Sequence, residues 1–162
     1  MNKKTAHKEQ SVDVRKILLG VIGERIVSSF LRKQGHEVEE SLNVFDTEKD
    51  MLVDGQKVEV KTQVPIIMED SFGVTMNQKP KIMSSHRVYF ISVPLPKNQD
   101  DLEGGIFEMN PKDPMLKAHR WRSFSGREML CFPRRQTAMK LIHRIDDEKV
   151  LKQLKDLSTS YM

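Results

Sequence analysis

The stretch that decides the fold reads Asp50-Met51-Leu52-Val53-Asp54-Gly55-Gln56-Lys57-Val58-Glu59-Val60-Lys61-Thr62-Gln63. Asp54-Gly55 is a turn dipeptide with a strong hairpin preference, so the apolar runs on either side read as a hairpin of two strands, Asp50 to Val53 and Lys57 to Lys61. Pro65 ends the second strand. Alternation along that strand sends Glu59, Lys61 and Gln63 to one face and Val58, Val60 and Thr62 to the other. Charges in a row on an otherwise apolar hairpin are costly to bury unless they are paired or bind a metal. The turn also folds Asp50 back toward Glu59, and a divalent cation relieves the repulsion between two close carboxylates.

Upstream, Val14, Ile17, Leu18, Val21, Val27 and Leu31 recur at helical spacing, with Ser11 or Asp13 as the cap and Gly35 as the stop. Glu24 falls on the inward side of this helix. Gly20 and Gly23 thin it beside Glu24 and permit close approach to a sheet, at a cost of roughly 1 kcal/mol each to helix stability. Residues 1–10 read as a flexible basic arm and 11–162 as a single domain.

Downstream, strands are expected at Phe72 to Met76, Arg87 to Val93, Ile106 to Met109 and Glu128 to Phe132, with the second of these interior to its sheet. A short helix is expected after Pro80, and further helices at Gln136 to His143 and Asp147 to Leu157. With 162 residues, 38% hydrophobic and 31% charged, the chain has the size and usage of one globular domain. It shows no membrane span and no signal core after the N-terminus, which points to the cytoplasm. The lone Cys131 excludes an internal disulfide and a cysteine-rich zinc site.

Charge is segregated along the chain. From His36 to Glu59 there are eight acidic and two basic residues, and from Asn110 to Arg144 nine basic and two acidic. An acidic pole beside a basic region from about residue 110 suits a hard-cation site next to a polyanion-binding surface. Lys79, Lys81, Arg120, Trp121, Arg122, Arg134 and Arg135 are the candidate nucleic-acid contacts, as phosphate-binding cations and a stacking ring. Magnesium held by Asp50, Glu59, Glu24 and the Val60 carbonyl would activate water for phosphodiester hydrolysis. Lys61 would orient that water or offset developing charge, and Gln63 would hold the water or a phosphate oxygen.

A helix with an inward Glu24, then a hairpin with Asp50 and, some ten residues on, Glu59-Val60-Lys61, resembles the PD-(D/E)XK nuclease superfamily. The likeness covers roughly residues 14–63. The phrases Gly23-Glu24-Arg25 and Leu31-Arg32-Lys33-Gln34-Gly35-His36 are similar to Holliday junction resolvases. Lys49 stands where the family often has proline before the acid, and Asp46 and Asp54 are alternatives to Asp50. The resemblance implies a restriction-endonuclease-like αβββαβ core, a central mixed sheet flanked by helices. It further implies magnesium-dependent cleavage of DNA, with manganese able to substitute. The expected activity is a structure-selective or site-specific endonuclease of the junction-resolvase, restriction-like or mobile-element kind, acting as a homodimer. An exonuclease or RNase on the same scaffold, or an inactive nucleic-acid-binding protein, are the alternatives.

Overall fold

Helix α1 (Lys3–Lys33) opens the computed structural model, which describes residues 3–40, 51–95 and 100–158, with side chains from residue 14 onward. The helix starts ahead of Ser11 and takes in most of the stretch expected as an arm. No glycine or proline interrupts it before Gly20, and Ser or Asp inside a helix costs only a few tenths of a kcal/mol. It ends where expected. Gly35 has φ of 94°, the His36 amide donates to the Leu31 carbonyl, and the Gly35 amide donates to Arg32, the paired bonds of a Schellman stop.

Strands β1 (Val38–Glu39), β2 (Met51–Val53) and β3 (Gln56–Gln63) follow as an antiparallel meander, with Met51 opposite Val58. Asp54 and Gly55 have φ of 50° and 79°, the left-handed pair of a type I′ turn. The Asp54 carboxylate accepts the Glu37 amide at 2.9 Å and meets His36 Nδ1 at 2.7 Å, which ties the turn to the end of α1. The bond to His36, then that from the Glu37 amide, holds the Asp54 carboxyl below its ordinary range.

From β3 the chain crosses through β4 (Ser71–Thr75) and α2 (Lys79–Ser84) to β5 (Arg87–Ser92), which lies parallel to β3. Strand β6 (Gly105–Met109) pairs antiparallel with β5. Then come β7 (His119–Arg122), β8 (Glu128–Pro133), β9 (Met139–Arg144) and α3 (Glu148–Ser158). The central sheet is mixed, in the order β1-β2-β3-β5-β6-β9, and a second sheet of three strands runs β4-β8-β7.

One expected helix is a strand. Residues expected as a helix from Gln136 to His143 form β9, with Met139 opposite Met109 and Leu141 opposite Phe107. Met139 and Leu141 enter one core and Ile142 the other, the alternation of a strand between two layers.

Each face of the central sheet has its own core. On one face Val58, Tyr89, Ile91, Val93 and Ile106 pack against Leu19, Val27 and Leu31 of α1 and Leu154 of α3. On the other, Val88, Phe90, Phe107 and Met109 pack against Ile82 of α2 and Phe72, Val74, Leu130 and Phe132 of the second sheet. Phe72 stacks on Phe90 at 4.6 Å between ring centres and meets Phe107 edge-on at 5.2 Å. Full burial of each such ring stabilises by about 1.5–3 kcal/mol. The chain is thus a mixed α/β protein with a helical layer on one side of a mixed sheet and a small sheet plus α2 on the other. Among the described residues no helix is long and apolar enough to cross a membrane.

Candidate functional site

Because β3 presents Val58 to the α1 side, its next residue, Glu59, faces the side of α2 and the second sheet. Across the parallel pairing Glu59 stands beside Val88 and Lys61 beside Phe90, both fully buried. The carboxylate is therefore set in apolar surroundings, with only 2% of the residue exposed. A carboxylate there needs compensating charge. It has two cations: Lys61 Nζ lies 3.3 Å and Lys81 Nζ 3.7 Å from the same oxygen, Oε1. The two lysines keep 22% and 26% of their side-chain exposure, so the cluster meets solvent through its ammonium ends. Among the described residues the cluster is one carboxylate with two ammonium groups.

The expected role of Lys81 was a groove contact, yet it converges on Glu59. A crossover between parallel strands has to cover one face of the sheet, and α2 is the helix of this one. Position in the crossover was the signal in the sequence, and the residue's charge alone did not reveal it. Lys79, one turn boundary away at the start of α2, is exposed.

The backbone groups of β3 alternate between its two neighbouring strands. The His86 amide donates to the Lys57 carbonyl and the Val93 amide to that of Gln63, so the odd-numbered residues of β3 direct their backbone groups at β5. Val58, Val60 and Thr62 direct theirs to the β2 side. Among the described residues, pairing there ends at Met51 and Val58. The Val60 carbonyl thus points to the β2 side, where the residues before Met51 lie outside the described residues.

Gln63 does not have the role expected of it. Its Nε2 donates to the Gly73 carbonyl at 2.9 Å and its Oε1 accepts the Gly73 amide at 2.8 Å. Both ends of the amide are committed to the outer edge of β4, where they satisfy a strand edge and join the two sheets. A Cβ on Gly73 would come within 2.6 Å of Ile66 Cδ1, so a larger residue there would have to turn the Ile66 side chain aside.

Glu24 is partly buried on α1. The neighbouring Gly23 seats the helix on β3 so closely that a Cβ would fall 1.7 Å from Thr62 Oγ1. Thr62 lies on the face opposite Glu59 and Lys61, so α1 reaches the expected strand from the other side of the sheet. Asp50, with the alternative Asp46, lies outside the described residues, and Asp54 belongs to the turn and its bond with His36.

The donors that are described, the Glu59 carboxylate and the Val60 carbonyl, are oxygens of the type a hard divalent cation takes. Among the described residues no group of three or more His, Cys, Asp or Glu is gathered to hold an ion, so a full ligand set requires Asp50.

The expected phosphate contacts divide. Arg134 is buried, with Nε and Nη2 on Asp70 Oδ1 at 2.9 and 2.6 Å and Nη2 also on Asp100 Oδ2. Arg135 joins the same two carboxylates. Arg134 is thus a structural clasp between the end of β8 and the loops around Asp70 and Asp100, not a phosphate contact, because it is buried with Nε and Nη2 on carboxylates and Nη1 on the Ser92 hydroxyl. The half-exposed Arg135 is partly neutralised by the same partners. Arg120 is exposed on β7, Arg122 meets Glu128 at 3.0 Å on the surface, and Trp121 is half-buried beside Met129. No family model, curated protein or solved structure matches this chain.

Proposed function

We propose that the protein is a metal-dependent nuclease that hydrolyses DNA phosphodiester bonds at the Glu59–Lys61 cluster. The observation that carries the reading is a strand carboxylate with only 2% of the residue exposed, held between two lysines. A salt-bridge ladder on a solvated surface does not bury its acid to this degree. The order α1-β1-β2-β3-β4-α2-β5, in which β4 belongs to the second sheet and β5 lies parallel to β3 beside an antiparallel meander, supports the restriction-endonuclease-like αβββαβ arrangement within the mixed sheet.

A bound magnesium ion, for which manganese would substitute, supplies Lewis acidity and a water of lowered pKa. Glu59 and the Val60 carbonyl serve as oxygen donors, with Asp50 joining them on the strength of its place in the sequence. Lys61, whose ammonium lies 3.3 Å from Glu59 and is partly exposed, would hold a phosphate oxygen and offset charge that builds up in the transition state. Lys81 supplies a second positive charge and orients the Glu59 carboxylate. Cutting both strands of a duplex with one small domain calls for two copies, and we therefore propose a homodimer as the acting form.

Incubation of supercoiled, linear and four-way-junction DNA with Mg²⁺, wild type beside Glu59→Gln and Lys61→Ala, tests this reading. Wild type is expected to nick or linearise the closed circle, which separates endonuclease from exonuclease action, and both variants to lose activity. DNA binding without cleavage by the wild type would favour the inactive nucleic-acid-binding alternative.

A further inference from the structure

Strands β7 and β8 form a hairpin whose tip, residues 123–127, reads Ser-Phe-Ser-Gly-Arg. The tip is tightly bonded. The Ser123 amide donates to the Arg127 carbonyl at 3.0 Å, the Gly126 amide to the Ser123 carbonyl at 2.9 Å, and the Arg127 amide to Ser123 Oγ at 3.1 Å. Gly126 takes φ of 83°, the left-handed position that such a turn requires. This well-bonded turn holds Phe124 at its apex, 97% exposed, the most exposed of the large apolar side chains among the described residues.

An aromatic ring held out into water by a rigid turn gains nothing from the fold. Its surroundings indicate what it meets. From Pro114 to Arg127 the chain contains Lys117, Arg120, Arg122 and Arg127 and no acidic residue. Arg120, Arg122 and Arg127 are exposed along the hairpin on either side of the tip. A flat apolar ring among arginines matches a chain of phosphates that carries aromatic bases.

We propose that the β7–β8 hairpin is a base-stacking finger, in which Phe124 stacks on an unpaired base of a nucleic-acid strand while Arg120 and Arg127 hold the flanking phosphates. The proposal rests on the reading of this protein as one that binds nucleic acid, and it is independent of hydrolysis. Stacking needs an exposed π-face, so the finger favours single strands, bulges and junctions over continuous duplex. It therefore gives structural selectivity to a site whose own chemistry reads only phosphate.

The test uses the full chain carrying Glu59→Gln, so that binding is measured without cleavage, by anisotropy of labelled oligonucleotides. Four probes are compared: single-stranded DNA, single-stranded RNA of the same sequence, the DNA duplex, and a single strand in which abasic sugars replace the central nucleotides. Phe124→Ala is expected to weaken binding to the base-bearing single strands roughly 5- to 100-fold, and Phe124→Tyr to restore it. Binding to the abasic strand is expected to change less than twofold. RNA bound as tightly as DNA extends the finger to both strands, and a DNA preference assigns it to DNA. The proposal is overturned if Phe124→Ala binds the base-bearing strand within twofold of its parent, or loses equally on the abasic strand. It is also overturned if the parent binds no probe. Binding that depends on Phe124 in a protein that cuts nothing would retain the finger and remove the nuclease reading; the converse result would do the opposite.

Discussion

Two alanine substitutions three residues apart on α1 are expected to change stability in opposite directions. In a helix interior, alanine is favoured over glycine by about 1 kcal/mol. At Gly20 nothing lies within 4 Å of the added methyl, so Gly20→Ala collects that gain. At Gly23 the methyl would stand 1.7 Å from Thr62 Oγ1, 2.9 Å from Thr62 Cβ and 3.3 Å from Ile91 Cδ1. Thr62 is β-branched on a paired strand and cannot swing clear, so α1 must lift from β3. Overpacking of this kind costs typically 1–3 kcal/mol, and a contact this short belongs at the upper end. Net of the propensity gain, Gly23→Ala is expected to destabilise by about 2 kcal/mol. With a urea m-value of about 2 kcal/mol/M, the midpoint falls by roughly 1 M for Gly23→Ala and rises by roughly 0.5 M for Gly20→Ala. Thr62→Ala removes the nearest atom, a buried hydroxyl without a hydrogen-bond partner, and leaves the 2.9 Å contact. It is therefore expected to recover part of the loss, a coupling on the order of 1 kcal/mol. Urea unfolding followed by far-ultraviolet circular dichroism reads the wild type, the two glycine variants, Thr62→Ala and the Gly23→Ala/Thr62→Ala double variant. A Gly23→Ala midpoint raised as much as that of Gly20→Ala would refute the seating of α1 on β3, and with it the support behind the Glu59 strand.

Arg134→Ala removes the buried partner of the Asp100 carboxylate while Arg135 stays on it, and a loss of about 1.5–3 kcal/mol is expected in the same unfolding assay. At Asp100 burial opposes ionisation, but the Leu102 amide together with Arg134 and Arg135 outweighs it and lowers the carboxyl below its usual range. Asp54 is lowered by His36 and the Glu37 amide. A lowered folded-state value stabilises above the unfolded one, about 3.9, and that contribution is lost as pH falls through the folded value. Melting temperature is therefore expected to fall on acidification below about pH 4, and Asp54→Asn or Asp100→Asn to flatten that limb of the profile. Burial, with a smaller contribution from Glu69, pushes the Cys131 thiol up to about 11. At pH 8 about 0.1% would be thiolate, so a thiol reagent should label the native protein far more slowly than the urea-unfolded chain, and equal rates would contradict the burial.

The parts of this fold that were legible in the sequence are those fixed by neighbours in the chain. Asp54-Gly55 specifies its turn through two positive φ angles, Gly35 stops α1 through a local bond pattern, and Val150, Leu151 and Leu154 mark the inner face of α3. What was missed depends on distant partners. The run from Gln136 to His143 is short enough to satisfy a helical period, and only the free edge of β6 makes it a strand. Strands β4 and β8 were both expected, but their pairing joins residues near 73 to residues near 131, so the second sheet was not visible. The same holds for side chains. Glu59 and Lys61 are brought together by alternation on one strand, whereas Lys81 reaches them through the crossover and Gln63 is taken by Gly73 of another sheet. Arg134 and Arg135 look like a phosphate-binding pair until Asp70 and Asp100 are seen beside them. Phe124 gave no periodic signal, and only its exposure on a bonded turn marks it.

The nuclease reading is tested most directly by the single-turnover rate of nicking of closed circular DNA at saturating protein, with Mg²⁺ and with chelator, for wild type and Glu59→Gln. The expected result is cleavage that requires the cation and falls at least about 100-fold in Glu59→Gln, with folding unchanged by circular dichroism. Glu59→Gln nicking at the wild-type rate, or wild-type cleavage undiminished by chelator, would contradict it.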